Sequence, residues 1–290
     1  MSAPRIAAVI GSPVAHSLSP AIHQAAFDAA GVNWAYAAFD VTDARAALSA
    51  MRLLGIAGLS VTMPLKEDVA RAVDRLDPAS RALHSVNTVS WDGDELVGSS
   101  TDGAGFVASL AAAGVEVDGA QIAVIGAGGA ARSVIDALGR AGAADITVLN
   151  RTRDRAEQAA SLSKAASVGI VSDVTRADIV INATSVGMGV SIVDATDADM
   201  ACDPALLRSG QIVADLVYHP LETAWMRIFL NPSSHGARGP APPWARPALT
   251  RSLAALFPGR TTEILAPLQF DPPCFEKLPC FEKLPCFEKL

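Results

Sequence analysis

The sequence predicts an α/β protein of two domains, an N-terminal α/β domain and a second one built on a βαβ series. Two observations carry that expectation. Up to about residue 230, short β-rich apolar runs alternate with alanine-rich helical stretches. The chain of 290 residues is also long for one ordinary domain and suits two. Half of its residues are hydrophobic, enough to furnish a core for each.

The elements follow in order. A short apolar run from Ile6 to Ile10 ends in Gly11-Ser12-Pro13. It is too short for a secretory signal and reads as a first strand over 5–10. Ser19 and Pro20 then open a helix over 19–30, Ser as N-cap and Pro as first helical residue. Strands are expected at 34–40, 57–61 and 86–91, with helices at 43–54 and 66–75. A helix at 103–113 and the glycine-flanked loop 114–119 lead into the second series. Its strands fall at 121–125, 145–149, 179–182 and 211–216, and its helices at 129–141, 152–164 and 221–229. These elements give a first domain over 1–104, a second over 105–227 and a further segment over 228–290.

Composition narrows the function. The net charge is −7, which argues against a nucleic-acid binder. No run of about 18 apolar residues predicts a membrane span. Cysteine is absent before Cys202, so disulfides do not hold this fold, which fits a reducing cytoplasm. The segment after 230 differs. It holds 11 of the 18 prolines, turns basic, and closes on three copies of Pro-Cys-Phe-Glu-Lys-Leu. A proline in each copy prevents a continued helix or a central strand, so disorder is expected beyond 270. Cys274, Cys280 and Cys286 lack the spacing of a zinc site, and no metal is expected. A change of reading frame near residue 228 would account for the segment.

Ile122-Ala-Val-Ile125 runs into Gly126-Ala127-Gly128-Gly129-Ala130-Ala131 and then a helical stretch. This is G-x-G-x-x-A between a strand and a helix, a dinucleotide-binding turn. Gly126 permits the tight turn and Gly128 lets the backbone approach a pyrophosphate. Ala131 is small enough for helix to pack on strand. The free N–H groups at the helix start face the anion. The next strand ends in Asn150-Arg151-Thr152-Arg153-Asp154-Arg155, with no carboxylate at its tip to hold a ribose 2′-hydroxyl. Guanidinium forks suit a 2′-phosphate, so the cofactor reads as NADP and the domain as Rossmann-like. The competing account is a solvated basic helix start, which opposes the helix dipole.

In the first domain, Ser17 lies two residues before the helix start at Ser19. Capping explains Ser19 alone, whereas two hydroxyls there make a carboxylate site. Residues 1–230 use 14 arginines and only two lysines, Lys66 and Lys164. A lysine where this chain otherwise uses arginine suggests proton exchange, because only lysine can be tuned toward neutral pH. A surface lysine at a helix start remains the plain alternative. Asp102 lies in another strand-to-helix loop, where it serves either chemistry or capping.

Taken together these strings resemble the shikimate dehydrogenase family over about residues 5–227. The matching strings are Gly11-Ser-Pro-Val-Ala-His-Ser-Leu-Ser-Pro20, Ser60-Val-Thr-Met-Pro-Leu-Lys66, Ser85-Val-Asn-Thr88 and Ser100-Thr-Asp-Gly103. The glycine turn follows, then Asn150-Arg-Thr152, Asn182-Ala-Thr-Ser-Val-Gly-Met188 and Asp215-Leu-Val-Tyr-His-Pro220. The resemblance implies reversible NADP-linked reduction of 3-dehydroshikimate to shikimate, in the pathway to chorismate and the aromatic amino acids. Carried over, Ser17 and Ser19 hold the substrate carboxylate, Lys66 is the general acid/base and Asp102 its partner. Thr62, Asn87 and Tyr218 contact ring hydroxyls. Gly126, Ala127, Gly128, Gly129 and Ala130 cradle the pyrophosphate, and Asn150, Arg151, Thr152 and Arg155 surround the adenosine ribose and its phosphate. A small-molecule substrate and a monomer or homodimer are expected. Three departures stand out: Ser60 and Ser100 replace family asparagines, and after Arg227 the substrate-contacting Met-Leu-x-x-Gln helix is missing. These leave open a quinate/shikimate dehydrogenase using NAD, and a catalytically impaired NADP-binding relative.

Overall fold

The computed structural model describes residues 3–15, 17–191, 193–217, 220 and 222–230. Expectations for the segment beyond 230, and for Tyr218, lie outside the described residues. The described chain falls into two compact units, one ending at Thr101 and one beginning at Asp102.

The first unit runs β1 (Arg5–Gly11), α1 (Ser19–Ala30), β2 (Trp34–Asp40), α2 (Ala44–Leu54) and β3 (Gly58–Val61). It continues with α3 (Lys66–Ala72), β4 (Arg75–Leu76), α4 (Pro78–Leu83), β5 (Thr88–Asp92) and β6 (Glu95–Ser99). Its strands form one sheet in the order β2-β1-β3-β5-β6-β4. β1 is parallel to β2 and β3, whereas β5 is antiparallel to both β3 and β6. One sheet face packs Ile10, Leu59, Val61 and Val89 against Leu48 and Met51 of α2 and Val69 of α3. Local signals end α2 cleanly. Asp43 accepts from the Arg45 and Ala46 N–H groups at 2.9 and 3.0 Å, and Gly55 closes the helix at φ 64°.

Strand–helix alternation predicts a parallel sheet here, and the sheet is mixed. The β5–β6 hairpin is the reason. Asp92 pairs with Glu95, leaving a two-residue turn whose Gly93 sits at φ 60°. Short β4 and α4 were also not foreseen, because two and six residues are too few to establish a period.

The second unit runs α5 (Asp102–Ala112), β7 (Gln121–Ile125), α6 (Gly129–Arg140), β8 (Asp145–Leu149) and α7 (Arg153–Ala160). Then come β9 (Ala166–Val168), β10 (Ile179–Asn182), β11 (Ile212–Asp215) and α8 (Ala224–Leu230). The sheet order is β11-β10-β7-β8-β9 and every pair is parallel. Its strands read as near-continuous apolar runs because both faces are covered. α5 seats closely on α6: the Gly103 N–H donates to Ser133 Oγ at 2.8 Å. A Cβ on Gly103 would lie 2.0 Å from the Ser133 carbonyl oxygen. Among the described residues no helix is long and apolar enough to cross a membrane.

Candidate active site

In the first unit, parallel pairing puts the carboxyl ends of β1 and β3 at the same sheet edge, and the antiparallel β5 begins there. The loops leaving β1 and β3 are bonded to each other. Ser12 N–H donates to the Met63 carbonyl at 2.9 Å, and Thr62 N–H donates to the Ile10 carbonyl at 2.9 Å. A Cβ on Gly11 would lie 2.4 Å from Thr62 Cγ2, so only glycine lets these loops approach. Lys66 is the first residue of α3 and half-buried. Its carbonyl accepts from Val86 N–H at 3.0 Å, which joins it to the stretch before Asn87. Asn87 in turn accepts no slack: its carbonyl takes the Val61 N–H at 2.7 Å, and its side chain bonds Thr101 twice. The Asn87 amide donates to Thr101 Oγ1 at 3.0 Å, while Oδ1 accepts the Thr101 N–H at 3.0 Å.

The sequence places the N-cap of α1 at Ser19, and the structure corrects this. Ser19 is the first helical residue, Leu18 is the cap position, and no side chain caps the turn. The Ser17 hydroxyl instead accepts from Ser19 N–H at 3.2 Å. Both hydroxyls are half-buried beside that helix start. Ser17, Ser19, Thr62, Lys66 and Asn87 thus come from loops and helix starts along one edge of one unit. Asp102 opens α5 in the other unit, as the residue after Thr101. Neighbouring residues that the sequence reading did not single out are Tyr36 and His23. Tyr36 donates to Ser60 Oγ at 2.6 Å, and the His23 ring stacks on it at 4.1 Å. Burial raises the Tyr36 hydroxyl to about 12 and lowers His23, keeping both neutral at physiological pH.

In the second unit, the turn after β7 is shaped for a close anion. Gly126 has φ 120°, and a Cβ there would lie 2.8 Å from the Ala183 carbonyl oxygen. Gly128 is the N-cap of α6, is exposed, and has open space where a Cβ would project. No side chain caps this helix, so its first N–H groups remain for an anion. Ala127 is buried, Gly129 and Ala130 begin the helix half-exposed, and Ala131 is fully buried against the strands. At the end of β8, Asn150 Nδ2 donates to the Thr152 carbonyl at 2.8 Å and shapes the turn. Arg151, Thr152 and Arg155 are exposed. Arg153 is engaged by Glu157 at 2.9 Å, whereas among the described residues Arg151 and Arg155 enter no ion pair. This donor set fits a pyrophosphate and a ribose phosphate.

Family comparison decides what these two units are. Residues 9–89 match the shikimate dehydrogenase substrate-binding domain, and residues 109–208 match the shikimate/quinate 5-dehydrogenase domain. The shikimate dehydrogenase (NADP+) of Moorella thermoacetica is 40% identical over 234 residues, covering 76% of this chain and 78% of that protein. The chain belongs to the shikimate dehydrogenase family. The shikimate dehydrogenase (NADP+) of Rubrobacter xylanophilus is 42% identical over 242 residues, covering 76% of this chain and 81% of its own. Among solved shikimate dehydrogenases, the Thermus thermophilus enzyme in complex with NADP(H) and shikimate superposes with a TM-score of 0.71. It is 31% identical and covers 87% of this chain and 92% of its own. The two-unit α/β architecture is the family's, a substrate domain followed by a Rossmann-like cofactor domain.

Proposed function

We propose that the chain is an NADP-dependent shikimate dehydrogenase that interconverts 3-dehydroshikimate and shikimate. The observation that carries the reading is the convergence of Ser17, Ser19, Thr62, Lys66 and Asn87 on one sheet edge. Two serine hydroxyls suit the substrate carboxylate, and Thr62 and Asn87 offer hydroxyl and amide groups to a polyol ring. Tyr218 is assigned to the same ring by resemblance.

Reducing a ketone leaves an alkoxide, so a proton must reach the same oxygen to which the carbon was attached. Lys66 is the group for that transfer, donating as the ammonium in reduction and accepting as the neutral amine in oxidation. Asp102 is assigned as its carboxylate partner by resemblance. NADPH supplies the hydride when bound. Gly126, Ala127, Gly128, Gly129 and Ala130 would hold its pyrophosphate, and Asn150, Arg151, Thr152 and Arg155 its phosphorylated ribose. The reading makes residues 1–104 the substrate domain and 105–227 the cofactor domain, acting as a monomer or homodimer in the cytoplasm.

The test is NADP reduction by the purified chain with shikimate and with quinate, each repeated with NAD. Turnover with shikimate and NADP is expected to exceed the other three combinations. Faster turnover of quinate or of NAD would favour the quinate/shikimate reading. Binding of NADP without turnover would favour an impaired relative.

A further inference from the structure

A buried carboxylate outside the proposed contacts ties together the loops at the carboxyl edge of the second sheet. Asp215 ends β11 and is 5% exposed. Its Oδ1 accepts from Asn182 Nδ2 and from Val217 N–H, each at 2.9 Å, and its Oδ2 accepts from the Thr223 hydroxyl at 2.8 Å. All three donors are neutral. An ionised carboxylate without a cation is costly to bury, and packing alone would be served as well by an apolar or amide side chain.

A carboxylate does one thing an amide does not: ionised, it only accepts. Together with the Val186 carbonyl, which accepts from Asn182 Nδ2 at the longer distance of 3.3 Å, it fixes which way the Asn182 amide points. With Nδ2 turned to Asp215, Asn182 Oδ1 faces the following loop and accepts Thr184 N–H at 3.0 Å and Thr184 Oγ1 at 2.7 Å. Thr184 Oγ1 then accepts Val186 N–H at 3.1 Å. That loop backs directly onto the glycine turn, where a Gly126 Cβ would lie 2.8 Å from Ala183 O and 3.0 Å from Thr184 Cγ2. The other arm, Val217 and Thr223, brackets the segment bearing Tyr218.

A dinucleotide lies across the point where strand order reverses, here between β7 and β10. The arginines at the end of β8 take the adenosine half, so the nicotinamide half falls on the side of β10 and β11. We propose that Asp215 is a positioning residue for hydride transfer, fixing the Asn182 amide and thereby the 183–187 loop that frames the nicotinamide half. The inference rests on the reading of the second unit as an NADP site.

The test is Asp215→Asn in the full chain, with three measurements. Turnover with shikimate is expected to fall at least about tenfold, and NADP affinity to weaken. Affinity for adenosine 2′,5′-bisphosphate, which carries only the adenosine half, is expected to stay within about twofold. Asn182→Ala should show the same pattern, and the double variant should lose no more turnover than either single one. That non-additivity is what a shared positioning role requires and general weakening of the fold does not. Asn182→Ala alone carries the same expectation if Asp215→Asn does not fold. Unchanged turnover in the folded variants, or loss of bisphosphate affinity in proportion to NADP affinity, would overturn the inference. A wild-type chain that bound neither nucleotide would overturn the cofactor reading, and this inference with it.

Discussion

The Tyr36 hydroxyl donates to Ser60 Oγ at 2.6 Å, joining β2 to β3 across β1. The Ser60 hydroxyl is thereby committed to a neighbour beside the proposed substrate residues. Tyr36→Phe removes the donor while keeping the ring stacked on His23. Stability should fall by about 1 kcal/mol, the net worth of one such bond. Denaturant unfolding checks it, and an unchanged midpoint would show that the pair contributes nothing.

Lys66→Ala should lower turnover by roughly 10²–10⁴-fold, as expected for a lost general acid/base, while NADP affinity holds. Steady-state rates beside a fluorescence titration of NADPH separate the two effects. A variant keeping most of its turnover would leave Lys66 a positional lysine at a helix start.

Arg151→Ala should weaken NADP far more than NAD. Arg151 is exposed at the end of β8 and enters no ion pair among the described residues. Its loss removes a guanidinium from the 2′-phosphate and nothing from a free 2′-hydroxyl. Equal losses in both affinities would assign the cluster to general solvation.

Gly103→Ala should destabilise the second unit. The added Cβ would meet the Ser133 carbonyl oxygen at 2.0 Å and Ala137 Cβ at 2.9 Å, so α5 must move off α6. Overpacking of this kind costs about 1–3 kcal/mol. A thermal scan should register it as a lowered Tm, and an unchanged Tm would mean that the two helices have room to separate.

Burial pushes the Asp215 carboxyl up to about 6, and its hydrogen-bond donors Asn182, Val217 and Thr223 are all uncharged. The folded value lies above that of an unfolded aspartate, so the folded chain holds this proton more tightly. The stability it contributes is complete below about pH 4 and is lost as pH rises through about 6. The loss is on the order of 3 kcal/mol. Asp215→Asn should flatten this part of the stability profile, and parallel profiles for the two proteins would refute it.

The glycine turn and the β8 tip were legible as a strand–turn–helix and a strand end because each depends on local residue chemistry and a short spacing. The mixed sheet of the first unit was harder to read. Its hairpin signal, Gly93-Asp94, joins strands whose place in the sheet depends on the pairing of β5 with β3, distant in sequence. Ser19 misled for a related reason, since the residue type favours capping but the helix begins one residue early and Ser17 takes the N–H. Asp215 entered the sequence reading only as the first residue of a matching string. That it faces Asn182, 33 residues earlier, follows only from the parallel pairing of β10 with β11.

The contact of Gly11 with Thr62, and the bond from Ser12 to Met63, have a consequence for sequence drift. Loops commonly absorb insertions and deletions because each is free of the others. Here the loop bearing Ser17 and the loop bearing Thr62 are held at van der Waals distance by a glycine with no room for a side chain. A one-residue insertion in either would displace both, and with them the hydroxyls and the ammonium they carry. Divergence at this edge should therefore proceed by substitution, and length variation should collect in turns on the opposite side of the sheet.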